Sequence, residues 1–262
     1  FDLKGREDLT NIPFVTIDGQ DAKDFDDAVW ANKNENDEWH LIVAIADVSF
    51  YVQPNTNLDK EALKRGNSTY FPDQVIPMLP ELLSNDLCSL VQDKQRPCLA
   101  VHIYINHLGE ITRYNFSRSV IKSRARLTYE QVQNSFDGKS NTIPQDLVIN
   151  VIRPLYEVYE LLHQKRLKRG SLELEITEKE IIINNSDKSI SVKDLKKYKS
   201  HKIIEELMIT ANIAAAMELS SRETPSMYRT HEKPNKEKLE LIDKIFESYN
   251  LCLSKKKNIS PQ

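Results

Sequence analysis

The chain has 262 residues, enough to bury a substantial core in one large domain or two modest ones. With 40% hydrophobic and 29% charged residues it has the composition of an ordinary globular protein, and its net charge of −3 argues against a nonspecific nucleic-acid binder. No apolar run approaches the roughly 20 residues of a membrane helix, and no charged-then-apolar leader precedes the fold, so a cytoplasmic monomer away from membranes is expected.

In chain order, Pro13 to Asp18 reads as a short buried strand ending in an acidic turn. Ala28 to Ala31 is a second strand, and Trp39 to Val48 a nearly continuous apolar strand of the kind covered on both faces. Leu58 to Arg65 is helix-like, and Phe71 to Pro80 is irregular because proline fits neither helix interior nor central strand. Cys98 to Ile105 and Ile111 to Ile121 flank a hairpin turn at Asn106 to Glu110. Leu127 to Ser135 and Leu147 to Lys168 are predicted helices, the second started or kinked by Pro154 and capped by Gly170. Leu172 to Asn184 alternates like a strand, and Asn185 to Lys199 reads as a polar surface excursion. Lys202 to Ser220 and Lys236 to Tyr249 carry helical apolar spacing, and the tail from Ser254 should fray. The expected class is α+β: a mixed, largely antiparallel sheet packed with helices, strands mainly in the first half and helices in the second.

Cys88, Cys98 and Cys252 are too few, and odd in number, for a disulfide framework, and are read as buried or incidental thiols. Arg118, Lys122, Arg124 and Arg126 form one acid-free basic stretch, and Lys165, Arg166, Lys168 and Arg169 a second. An acidic spot with separate basic spots suits an enzyme that holds a metal in one place and phosphates in another; a solvated surface explains the same pattern.

The acidic spot is Asp18, Asp24, Asp26 and Asp27, spaced D-x5-D-x-D-D directly after an apolar strand, with Asp21 between them. Crowded carboxylates repel, and a hard divalent cation with oxygen ligands is the natural compensator. The spacing does not match a calcium-binding EF-hand loop. An exposed acidic turn of aspartate caps remains the plain alternative.

The wording of the residues goes further. Phe14-Val15-Thr16-Ile17-Asp18-Gly19 with Asp21-Ala22-Lys23-Asp24-Phe25-Asp26-Asp27-Ala28-Val29 is similar to the signature of the ribonuclease II/ribonuclease R (RNB) family. Val43 to Ser49, Ile76 to Pro80, Leu83 to Leu90, Ser123 to Tyr129, Arg169 to Glu173, Glu205 to Asn212 and Tyr228 to Pro234 resemble further family blocks in the same order. The resemblance implies a magnesium-dependent exoribonuclease that digests single-stranded RNA from its 3′ end to nucleoside 5′-monophosphates. It implies that Asp18, Asp24, Asp26 and Asp27 are the metal ligands, with Asp26 and Asp27 at the catalytic centre.

The same resemblance implies that Tyr70 stacks on a terminal base, although a tyrosine packed under a proline-rich loop is the bland reading. It places Glu205, with Asn212 on the same helical face, where an acid guides the 3′ end. Arg124 and Arg126 are phosphate contacts on this view, or a solvated strand-to-helix corner. Leu174 stands where some members carry a second aromatic.

The family's later Ser-Pro-hydrophobic-Arg-Arg-Tyr block, source of an arginine that braces the scissile phosphate, does not occur before Gln262, and the flanking OB-fold domains are absent. Residues 1–262 are therefore expected to be one RNB-type catalytic domain truncated at its C-terminal end, with activity belonging to the longer parent enzyme. The alternatives are an RNA-binding relic of the family and a metal-binding structural domain.

Overall fold

The long apolar run of the first half becomes the middle of a sheet. In the computed structural model, residues 4–139, 142–171, 177–183, 189–230, 232 and 235–251 are described. The strands begin with β1 (Glu7–Asp8), β2 (Val15–Asp18), β3 (Asp27–Lys33) and β4 (Trp39–Ala46). A separate small hairpin, β5 (Thr69–Tyr70) and β6 (Val75–Ile76), interrupts the otherwise irregular proline-rich passage. Then come β7 (Gln95–Ile105), β8 (Ile111–Lys122) and β9 (Ala125–Thr128). The main sheet runs β1-β8-β7-β4-β3-β2-β9, antiparallel through its centre and parallel at both margins, where β1 joins β8 and β9 joins β2. A last pair, β10 (Lys179–Ile183) and β11 (Ile190–Asp194), stands apart from it.

The turn between β7 and β8 is built by Asn106, whose carboxamide oxygen accepts from the N–H groups of Leu108 and Glu110 at 3.0 Å each. Gly109 sits there at φ +76°, and an added Cβ would lie 3.3 Å from the Leu161 carbonyl oxygen.

Helices cover one face: α1 (Val48–Tyr51) and α2 (Asn57–Arg65) lie elsewhere, while α3 (Tyr129–Phe136), α4 (Gln145–Leu147), α5 (Arg153–Lys168) and α6 (Lys199–Ser221) pack on the sheet. The amphipathic α7 (Lys236–Ser248) follows with no buried residue. Trp39, Leu41 and Val43 of β4 join Val151, Leu155, Tyr159, Ile203 and Leu207 in one core. Ile42, Ala44 and Ala46 face the other way, into a second core with Phe14, Phe25, Leu90 and Cys98. Two covered faces explain why β4 is continuously apolar although its neighbours are antiparallel. None of the helices among the described residues is long and apolar enough to cross a membrane.

The structure moves several boundaries. Leu127, expected in a helix, belongs to β9 and pairs with Ile17. The helix starts at Tyr129 because Thr128 and Gln131 form a reciprocal capping box, Thr128 Oγ1 accepting from Gln131 N at 3.1 Å and Gln131 Oε1 from Thr128 N at 2.8 Å. The polar stretch Asn185 to Lys199 contains β11, paired residue for residue with β10. The segment before α5 widens into a π-type turn at Val148–Ile152, with Arg153 N donating to the Val148 carbonyl, and Pro154 follows directly in the first turn of α5, so the helical run bends its bonding pattern there rather than starting at the proline. Leu174, Cys252 and the tail from Ser254 lie outside the described residues, as does part of the predicted strand Leu172 to Asn184.

Leu41 is fully buried between the sheet and the helices, so Leu41→Ala should cost about 2–5 kcal/mol in urea unfolding. Ile190→Ser, on the exposed β11, should stay within about 0.5 kcal/mol of the parent in the same assay.

Candidate active site

The four aspartates lie on the connection from β2 to β3, at the end of the sheet where β4 and β7 leave Ile45 and Leu99 exposed. β2 ends at Asp18, whose Oδ1 accepts from Gly19 N at 2.8 Å and turns the chain out of the strand. The loop beyond is fixed from several directions. Arg126 Nη2 donates to the carbonyl oxygens of Gly19 at 2.7 Å and Gln20 at 2.5 Å, and its guanidinium lies 5.5 Å over the Phe25 ring. Phe25 is buried, and its N–H donates to Ser89 Oγ at 2.9 Å. Ala46 N donates to the Asp26 carbonyl at 2.8 Å, and β3 starts at Asp27 opposite Ile45. The backbone is therefore specified even though Asp26 itself is exposed and Asp18, Asp24 and Asp27 are half-buried.

The carboxylates feel one another. Burial pushes Asp27 up from the ordinary 3.8 to about 6, reinforced by Asp18 and Asp26. Asp26 is raised by loss of surrounding water, then by Asp24 and Asp18. Asp18 is raised by burial against the opposing Gly19 N–H bond; Asp24 adds to the rise, and Arg126 and His201 partly offset it. None of the four forms an ion pair with a described residue.

Tyr70 reaches this cluster across a long sequence separation: its ring is exposed and its hydroxyl lies 3.4 Å from Asp24 Oδ2. The other expected RNA contacts are placed differently. Arg126 is committed to the backbone of the aspartate loop. Arg124 lies outside β9, and its side chain lines a cavity of about 570 Å³ together with Lys122, Asp93 and Asp146. Glu205 is exposed on α6 and faces Arg166 at 3.4 Å, while the buried Glu206 beside it holds the same guanidinium at 2.9 Å. Among the described residues no contact joins Glu205 to the aspartates.

Two side chains that the sequence did not single out wall the site. Tyr129 opens α3, and His201 in the first turn of α6 stacks on it with ring centroids 3.9 Å apart. Burial, with Asp18 and Asp27, pushes the Tyr129 hydroxyl up to about 12. Burial also depresses His201. Tyr129 at least falls within a family-like block; His201 carried no signal.

Does a divalent cation fit? Among the described residues no three His, Cys, Asp or Glu side chains converge as a ligand set. Magnesium does not require that: it keeps several waters and is held through one or two carboxylates together with substrate phosphates. Hard oxygen donors that form no ion pair with a described residue, with the ionisation of Asp18, Asp26 and Asp27 opposed by burial and by neighbouring carboxylates, are the right chemistry for it.

The RNB domain family model matches residues 6–261. The chain belongs to the RNB domain family. It is 44% identical over 237 residues to Ribonuclease R of Vibrio parahaemolyticus, covering 90% of this chain and 28% of that protein. Its structure superposes on Mycoplasma genitalium RNase R in complex with ribose-methylated single-stranded RNA with a TM-score of 0.88 at 34% identity, covering 94% of this chain and 38% of the other. The fold also occurs in yeast Ssd1, a pseudonuclease, at 16% identity and a TM-score of 0.73. The RNB chain thus spans about a third of the length of its relatives.

Because the folded Asp27 titrates higher than the unfolded one, its ionisation opposes folding: the penalty is absent below pH 3.8 and complete above about pH 6. In metal-free buffer the stability of Asp27→Asn relative to the parent should therefore rise between those limits and then level off. Urea titrations across the pH range measure it, and a pH-independent difference would remove Asp27 from the repelling group.

Proposed function

We propose that this RNB chain forms the metal-holding part of a magnesium-dependent exoribonuclease that hydrolyses single-stranded RNA from the 3′ end to nucleoside 5′-monophosphates. The observation that carries the reading is the cluster of four carboxylates that form no ion pair with a described residue, in a chain of this family. Asp18, Asp24, Asp26 and Asp27 would supply the ion's carboxylate oxygens, directly or through its retained waters. When bound, magnesium supplies Lewis acidity to the scissile phosphate and acidifies the attacking water. The chain's own work is positional. The clamped loop fixes the backbone that carries Asp24 and Asp26, Asp27 starts β3 opposite Ile45, and the stacked Tyr129 and His201 lie in the field of Asp18. The exposed Tyr70 ring, tethered near Asp24, offers a flat face to a base, which suits an enzyme blind to sequence because every base has a π-face. Arg124 and Lys122 remain available to phosphates farther out. Glu205 would reach the 3′ end only by releasing Arg166, which Glu206 can keep.

The occurrence of the same fold in a pseudonuclease keeps one other reading in view, an RNA-binding protein that does not cleave. Digestion of a 3′-tailed RNA by the full-length protein separates the two. Magnesium-dependent mononucleotide release is expected, with Asp26→Asn lowering it on the order of 10²–10³-fold while RNA binding persists. Unchanged release by Asp26→Asn would end the catalytic assignment. Tyr70→Ala should weaken the hold on short RNA by about 1–3 kcal/mol and lengthen the final product.

A further inference from the structure

The aspartate loop is held by a side chain outside it that has no assigned role. Ser89 is fully buried in the segment that follows the irregular turn at residues 83–87. Its hydroxyl donates to the Lys23 carbonyl at 2.9 Å and accepts from the Phe25 N–H at 2.9 Å. Those are the peptide groups on either side of Asp24, so one hydroxyl fixes the backbone on both flanks of that residue. The next residue adds a third bond, Leu90 N donating to the Phe25 carbonyl at 2.8 Å.

Ser89 is itself anchored. Arg96, 6% exposed on β7, donates through Nε to the carbonyls of Ser89 at 3.1 Å and Asp86 at 3.2 Å, and its Nη2 lies 2.6 Å from Asp86 Oδ1. The connection thus runs from a central strand through Arg96 and Ser89 to the backbone of Asp24. A loop bearing mutually repelling carboxylates would relax outward if it could, and this chain of bonds opposes that at the residue that also meets Tyr70.

We propose that Ser89 is a positioning residue for metal binding: its hydroxyl, braced by Arg96, holds Asp24 where it can share a magnesium ion with its neighbours. The inference rests on the magnesium reading of the site. Outer partners that orient metal ligands typically change metal affinity 10–100-fold when removed.

The test uses the full-length protein and two readouts, manganese binding by titration calorimetry and RNA digestion across a magnesium series. Ser89→Ala should raise the manganese dissociation constant and the half-saturating magnesium concentration by roughly tenfold. At saturating magnesium its kcat should return close to that of the parent, with KM for RNA unchanged. Ile103→Val, in the opposite core, controls for simple destabilisation and should leave both metal constants unmoved. If Ser89→Ala does not fold, Ser89→Cys, of similar volume but a weak donor and acceptor, is read by the same criterion. Metal constants within about twofold of a metal-dependent parent overturn the proposal. A parent that neither binds manganese nor needs magnesium overturns the proposed function instead.

Discussion

Mutual repulsion among Asp18, Asp24, Asp26 and Asp27 is the constraint around which this end of the sheet is arranged. Asp18, Asp26 and Asp27 would each ionise more easily if less buried and farther from the neighbouring carboxylates. They stay together because the chain between β2 and β3 has little freedom. Gly19 N–H caps Asp18, Arg126 holds the carbonyls of Gly19 and Gln20, Ser89 brackets Asp24, and Ala46 N–H takes the Asp26 carbonyl. The strain of like charges is set against backbone hydrogen bonds anchored in β4, β9 and the segment before β7. Those anchors stand in turn on two cores, one on each face of β4.

The arginines near the sheet and helices are likewise committed to fixed acceptors. Arg126 serves the loop backbone, Arg96 serves Asp86 and Ser89, and Arg166 serves Glu205 and Glu206. Guanidinium geometry suits such multiple acceptors, which is why these positions are arginine rather than lysine in function. A consequence is that positive charge near the aspartates is devoted to carbonyls more than to carboxylates.

The sheet was legible where composition and turn chemistry agreed. Trp39 to Val48 announced a doubly covered strand, which ends at Ala46, Asn106 to Glu110 a hairpin, and the spacing of Ile204, Leu207 and Ala211 a packed helix. Legibility failed where two periods overlap: Leu127 fits the helix that follows, and only the Thr128–Gln131 box puts the boundary after it. β11 was hidden because Ser191 and Lys193 alternate with exposed Ile190 and Val192 in an otherwise basic stretch. The aspartates stood out because their carboxylates are close in sequence. Ser89, Tyr129 and His201 did not, since each reaches the site from a distant element, and neither residue type nor local spacing records a contact made only on folding.

The same repulsion links the titration of the site to its proposed use. Arg126 and His201 offset only part of the rise at Asp18, and no described cation forms an ion pair with any of the four, so two species from solution can add compensation. A proton does so one carboxyl at a time, and Asp27, buried deepest in the fields of Asp18 and Asp26, takes it most readily. A hard divalent ion does so for several oxygens together and keeps positions open for water and phosphate. Protons and metal therefore compete for one set of oxygens, because metal ligands must be deprotonated to bind. A fixed arginine paired to all four would have quenched the repulsion permanently; with none so paired among the described residues, the repulsion is left to favour the proposed metal and the RNA phosphate that would enter with it.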